Sequence, residues 1–315
     1  METMTKMARL FKNLFLEESK FSDLYCKIIA EEEISQAPAE DSPKKYENMS
    51  IAVVPGSFKP PHKGHWEMVM KALKSSDKTI VLVSNISEKA NLSRTLSMSN
   101  LKPLWKAKDL WETSCKDSLP MLEDAFTSLA DKADSLSYYD AEEKLRDSLD
   151  GIDTESLGKK EKKVVESLEK WLSSLKKDLT KSIRRTSTGK EITPEIAVEI
   201  FKIYAKAYNI PQEAIEIKAS ESASPVKDFF YVLKDCNNCD VKLVTSDKGE
   251  DATRFDHLFD NPPEDATNRC SVMPVAVQTM ISATDIRENL DQISRDWFPE
   301  DISDEDFEKI KELLQ

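Results

Sequence analysis

Long apolar runs are missing from this 315-residue chain, and with them any segment able to span a bilayer or act as a secretory signal. The first 30 residues do place Leu10, Leu14, Phe21, Leu24 and Ile28 at helical spacing, but charges interrupt them too often for insertion. Cysteine is sparse and odd in number, with Cys26, Cys115, Cys236, Cys239 and Cys270 scattered along the chain. That usage excludes a disulfide framework and suits a reducing compartment, so a cytoplasmic protein is expected. Cys236 and Cys239 form a Cys-x-x-Cys, yet no second pair or His-x-His accompanies it, which argues against structural zinc; no other metal-ligand cluster is read. A basic surplus is absent as well. The formal net charge of −13 argues against broad nucleic-acid binding, which needs clustered Lys and Arg, and the Arg184 and Arg185 pair lacks interleaved aromatics. Any phosphate ligand must therefore be held by a local basic site. The string STGK at 187–190 lacks the first glycine of a P-loop and is no Walker motif.

Glycine and histidine are also scarce, six and three in all, and this makes one stretch stand out. Residues 50–66, SIAVVPGSFKPPHKGHW, contain Gly56 and Gly64 together with His62 and His65. They read as a short apolar strand, a turn rich in Gly and Pro, and a helix start. Backbone N–H groups and the helix dipole favour an anion at such a junction. Two imidazoles one helical turn apart can both face it. Far downstream, ISATDIR at 281–287 has a physical reading of its own. Ser282 and Asp285 have the capping-box spacing, Thr284 adds a hydroxyl, and Arg287 adds a forked cation one turn later.

GSFKPPHKGH, residues 56–65, resembles the first signature of the nucleotidyltransferase superfamily: Gly-Ser/Thr-Phe, a variable Pro-containing stretch, then His-x-Gly-His. ISATDIR resembles the superfamily's late Ile-Ser-x-Thr-x-x-Arg motif. Members join a nucleoside triphosphate to a phosphorylated acceptor and release pyrophosphate. The resemblance implies that His62 and His65 bind the triphosphate and the crowded transition state, with backbone from Gly56, Ser57, Phe58 and Gly64 around the α-phosphate. Lys59, Ser282, Thr284 and Arg287 would take the β- and γ-phosphates, and Mg²⁺ would be the cofactor bridging phosphate oxygens. Residues 245–255, TSDKGEDATRF, follow the fourth expected strand where relatives contact nucleotide or acceptor, making Asp247, Lys248 and Arg254 candidate ligands. Ser246 stands where a small glycine is usual in that family. Trp66 and Trp105 can stack on a base or pyridine ring, and Trp66 and Arg94 are candidate acceptor contacts. The late motif is closer to that of nicotinate- and nicotinamide-nucleotide adenylyltransferases than to that of cytidylyltransferases, which favours ATP over CTP. Acceptors compatible with this reading are nicotinamide mononucleotide, phosphopantetheine and glycerol phosphate. The alternatives are a cytidylyltransferase acting on a small alcohol phosphate and a catalytically silent binding or assembly protein on the same fold.

Apolar runs at 50–55, 79–84, 214–219, 241–246 and 271–277 are short, rich in Val and Ile, and bounded by turn residues. Such runs suit strands covered on both faces, hence a parallel sheet in an α/β fold. Helical patterns at 64–75, 194–208 and 224–235 lie between them. The resemblance implies a doubly wound, Rossmann-like sheet in strand order 3-2-1-4-5, with the site at the strands' carboxyl ends. The expected organisation is an amphipathic helical segment and acidic linker over 1–48, then one domain over 49–315. Residues 95–190 are expected to insert as an antiparallel helical hairpin, on the stripes Leu122, Phe126, Leu129, Ala133, Leu136 and Val164, Leu168, Leu172, Leu175, Leu179, Ile183, with a turn at Asp150 and Gly151. The insertion and the N-terminal segment are the expected routes to a protein partner or a second copy.

Overall fold

The computed structural model describes residues 44–90, 98–131, 136–221, 225–247, 268–279 and 281–315, so the expected N-terminal helical segment lies outside it. Five parallel strands form the main sheet: β1 Ser50–Gly56, β2 Lys78–Val83, β3 Ile215–Ala219, β4 Asp240–Ser246 and β5 Arg269–Val275. Their spatial order is β3-β2-β1-β4-β5, the 3-2-1-4-5 order that the family resemblance implies. Successive side chains of a strand point to opposite faces, and both faces are covered here. Ala52 and Val54 of β1 and Val81 and Val83 of β2 join one apolar core. Ile51, Val53, Ile80 and Leu82 join a second core on the other face. This is why the runs read as continuous rather than alternating.

The first face is covered by α1 (Lys63–Ser75), which follows β1. Against it lie α6 (Pro194–Ala207), whose N-cap Thr193 is followed by Pro at the first helical position, and the C-terminal α9 (Asp304–Leu314), whose Ile310 and Leu314 are buried. The second face is covered by α7 (Pro225–Lys234) through Phe229 and Val232. The short α8 (Ala283–Glu288) follows β5 and returns the chain to the carboxyl edge of the sheet. Among the described residues no helix is long and apolar enough to cross a membrane.

Between β2 and α6 the chain builds four helices where the apolar stripes suggest two: α2 Met98–Ser114, α3 Leu122–Asp131, α4 Tyr138–Asp150 and α5 Lys159–Ser182. The stripe Val164, Leu168, Leu172, Leu175 and Leu179 is buried as expected, together with Trp171. It packs along α2, which carries Leu104, Ala107 and Trp111 despite Pro103 within it. The expected first stripe is divided: Leu122, Phe126 and Leu129 lie on α3, Leu136 is buried just before α4, and Ala133 lies outside the described residues. Asp150 and Gly151 do end a helix, α4. The insertion therefore has an apolar core of its own, separate from both cores of the sheet.

Candidate active site

The site begins where β1 ends. Gly56 must be glycine, because a Cβ there would stand 2.4 Å from the Phe58 ring. Phe58 occupies the left-handed region at φ 49°, a conformation that costs a non-glycine residue about 1–2 kcal/mol. Its ring compensates by packing edge-on against His65 at 4.9 Å and Phe201 at 5.2 Å between centroids. Backbone strain held in place by packing, at the carboxyl end of the central strand, is a mark of functional geometry.

The turn delivers His62 to the N-cap of α1, where its Nδ1 accepts from the Gly64 N–H at 3.1 Å. In a neutral ring this leaves Nε2 carrying the proton and able to donate. His65 lies one turn on, its ring 3.7 Å from that of His62 and tilted by 31°. Burial, and then His62, push its imidazole well below the ordinary range, and its buried Nδ1 has no hydrogen-bond partner. The pair is thus packed ring on ring at a helix start, as the three-residue spacing implies.

The two halves of the site are joined by contacts that the motifs do not contain. Gly64 lets the loop after β5 approach, since a Cβ there would lie 3.0 Å from Val277 and 3.2 Å from Thr279. Glu67 of α1 accepts from the Gln278 N–H at 2.9 Å and the Thr279 hydroxyl at 2.5 Å. Its carboxyl sits below the ordinary range: burial pushes it up, but these hydrogen bonds outweigh that. Ser282 and Asp285 then form the reciprocal capping box of α8, with Oγ to Oδ2 at 2.7 Å and Ser282 N to Oδ2 at 2.8 Å. Arg287 donates to the Lys59 carbonyl at 2.7 Å and to the Thr284 hydroxyl at 2.8 Å, locking α8 onto the first turn. Its guanidinium is held below its ordinary pKa by burial and by Arg184.

Of the residues expected at the site, the fold brings together Gly56, Ser57, Phe58, Lys59, His62, Gly64, His65, Ser282, Thr284 and Arg287. Lys59 is turned inward, almost fully buried, and donates to the Ile86 carbonyl. Burial lowers its pKa to about 8, opposed by Glu191 and Glu195 and reinforced by Arg184. Asp247 lies exposed just past β4, its N–H donating to the Val275 carbonyl at 3.1 Å. Trp66 is enclosed among Phe201, Tyr204 and Tyr208 and belongs to the core, so it presents no face to a base or acceptor ring. Trp105 is half-buried on α2 under Lys108. Arg94, Lys248 and Arg254 lie outside the described residues. Glu67 and Arg184 are neighbours of the site that sequence reasoning missed, because no local pattern announces a contact made across the fold. A polar cavity of about 180 Å³, lined in part by Tyr46, Lys218, Asp228 and Tyr231, opens beside α7 and not at the histidine pair. At the histidine pair a strained turn, a helix start and a fixed guanidinium converge.

Residues 53–104, which include this turn and both histidines, match the family model described as cytidylyltransferase-like. Over this segment the chain is similar to the nucleotidyltransferase superfamily. A 59-residue stretch is also 41% identical to the phosphopantetheine adenylyltransferase of Mycoplasma capricolum subsp. capricolum. That stretch is 18% of this chain and 42% of the relative, so less than half of the relative's length is matched. No solved structure matches the chain. The match ends at residue 104, within α2.

Proposed function

We propose that this protein transfers AMP from ATP to a phosphorylated small-molecule acceptor and releases pyrophosphate. The observation that carries the reading is the closely packed pair of His62 and His65 at the start of α1, together with the Arg287 guanidinium fixed on the carbonyl of Lys59 in the same turn. The acceptor's phosphate monoester is largely ionised near neutral pH, so its oxygen attacks the α-phosphorus without a protein base. The new bond joins that oxygen to the α-phosphorus. The bond to the β-phosphate oxygen breaks, and pyrophosphate leaves with the electron pair. The protein's part is alignment and charge stabilisation. His62 donates from Nε2 to the reacting phosphate oxygens, neutral His65 supports and polarises that ring, and Arg287 with Thr284 takes the outer phosphates.

Mg²⁺ is the cofactor this chemistry calls for. Among the described residues no group of three His, Cys, Asp or Glu side chains converges on a common point, and Asp285 is engaged in its cap. The described side chains thus do not form a metal cage, and Mg²⁺ would arrive with the triphosphate. The matched adenylyltransferase and the form of the 281–287 motif support ATP, and phosphopantetheine and nicotinamide mononucleotide are the acceptors to test first. The test is pyrophosphate release with ATP or CTP and each acceptor. Release only with CTP and an alcohol phosphate would move the protein to the cytidylyltransferases. Binding of triphosphate with no turnover on any acceptor would favour a binding protein on this fold.

A further inference from the structure

The chain leaves the helical insertion through a small hairpin. Ile192 N–H donates to the Arg184 carbonyl at 2.8 Å, Thr186 N–H to the Lys190 carbonyl at 2.9 Å, and Arg185 pairs antiparallel with Glu191. Gly189 turns the hairpin at φ +87°. The hairpin is docked on the candidate site, because Ser187 N–H donates to the Arg287 carbonyl at 2.8 Å. Arg185 reaches the Gly189 carbonyl at 2.8 Å and the Glu88 carboxylate. Arg184, next to it in the docked hairpin, is a charged neighbour of Lys59 and Arg287, both of whose pKa values it lowers. Among the described residues the half-buried Arg184 side chain makes no hydrogen bond or ion pair. Glu191 and Glu195 face Lys59. An unpaired guanidinium beside two further cations is costly without a partner, and a multiply charged anion removes the cost. Arg suits that task because its planar fork matches phosphate oxygens.

We propose that Arg184 is a further cation of the phosphate subsite, binding the β- and γ-phosphates of the nucleoside triphosphate beside Arg287. The assignment rests on the function proposed above and adds to it that the insertion's exit hairpin completes the site.

The test is calorimetric titration of the full chain with MgATP, MgCTP and tripolyphosphate, with AMP titrated in parallel. The variants are Arg184→Ala, Arg184→Lys and, as a control for loss of a nearby exposed charge, Lys181→Ala. Arg184→Ala should weaken the preferred triphosphate and tripolyphosphate at least tenfold, while AMP, which lacks both outer phosphates, binds within twofold of wild type. Arg184→Lys should recover part of the loss, and Lys181→Ala should behave as wild type. Unchanged triphosphate affinity in Arg184→Ala would overturn this inference and leave the proposed function standing. An equal loss for AMP and triphosphate would also overturn it, since the residue would then act through the fold. Failure of the wild type to bind any triphosphate would overturn the inference and the function together.

Discussion

His65 sits where two demands meet, since its ring packs on Phe58 and His62 and is also the best candidate to shape the reacting phosphate's surroundings. Its folded pKa lies well below the ordinary value, through burial first and His62 second. Below about pH 6.5 the unfolded chain therefore takes up a proton that the folded chain refuses, and stability is lost as pH falls. The contribution of this one group is at most about 1.4 kcal/mol per pH unit, intact above that range. Chemical denaturation at pH 7 and pH 5 should show a larger loss for wild type than for His65→Gln; equal losses would mean that His65 is not buried in neutral form. In the proposed reaction His65→Ala should lower turnover about a hundredfold or more with the fold retained, read by steady-state kinetics and circular dichroism. Lys59 gives a second signature. Its folded pKa is about 8 against an ordinary 10.5, so between those values the unfolded state holds a proton that the folded state has released. The cost of burying that charge is full below pH 8 and fades as pH rises. Wild type should therefore gain stability relative to Lys59→Met between pH 8 and pH 10, measured by denaturant midpoints. A constant difference would place the ammonium in solvent.

At the scale of elements, the cap of α8 and the turn after β1 are both testable. Ser282→Ala removes one half of the capping box and should cost about 0.5–2 kcal/mol of stability in denaturant unfolding. Gly56→Ala forces a methyl into the Phe58 ring, and overpacking of this kind costs about 1–3 kcal/mol. These elements were legible in the sequence because each carries a local signal. Ser282 and Asp285 stand at the capping spacing, and Gly56 ends a Val-rich run. The strands were legible to within two residues for the same reason, since burial on both faces leaves no polar interruption in Ile51–Val54 or Ile80–Val83. What the sequence hid depends on distant partners. Trp66 reads equally well as a stacking platform and as core, and only the packing of Phe201, Tyr204 and Tyr208 around it decides for core. Glu67 looks like any exposed helical acid until the loop after β5 meets it.

Across the whole molecule, the insertion and the sheet are separate cores joined at the site's edge. Glu88, just past β2, accepts from Arg185 of the hairpin and from the Tyr139 hydroxyl of α4 at 3.0 Å, while its N–H donates to Glu191 at 3.1 Å. The four-helix form of the insertion escaped the sequence reading because α2 is interrupted by Pro103 and α4 buries only Tyr138, Ala141 and Leu145, too narrow a face to stand out by periodicity. The stripe on α5 is the exception, and Leu168→Ala within it should cost about 2–5 kcal/mol in the insertion's own unfolding. In the proposed reaction the histidine pair and Arg287 align a triphosphate for attack by an acceptor phosphate. The measurement is pyrophosphate release with Mg²⁺, ATP or CTP, and a panel of phosphorylated acceptors, comparing wild type with His65→Ala. Release is expected with ATP and one phosphate-monoester acceptor, reduced about a hundredfold or more by the substitution. Equal release by the two proteins would contradict that role.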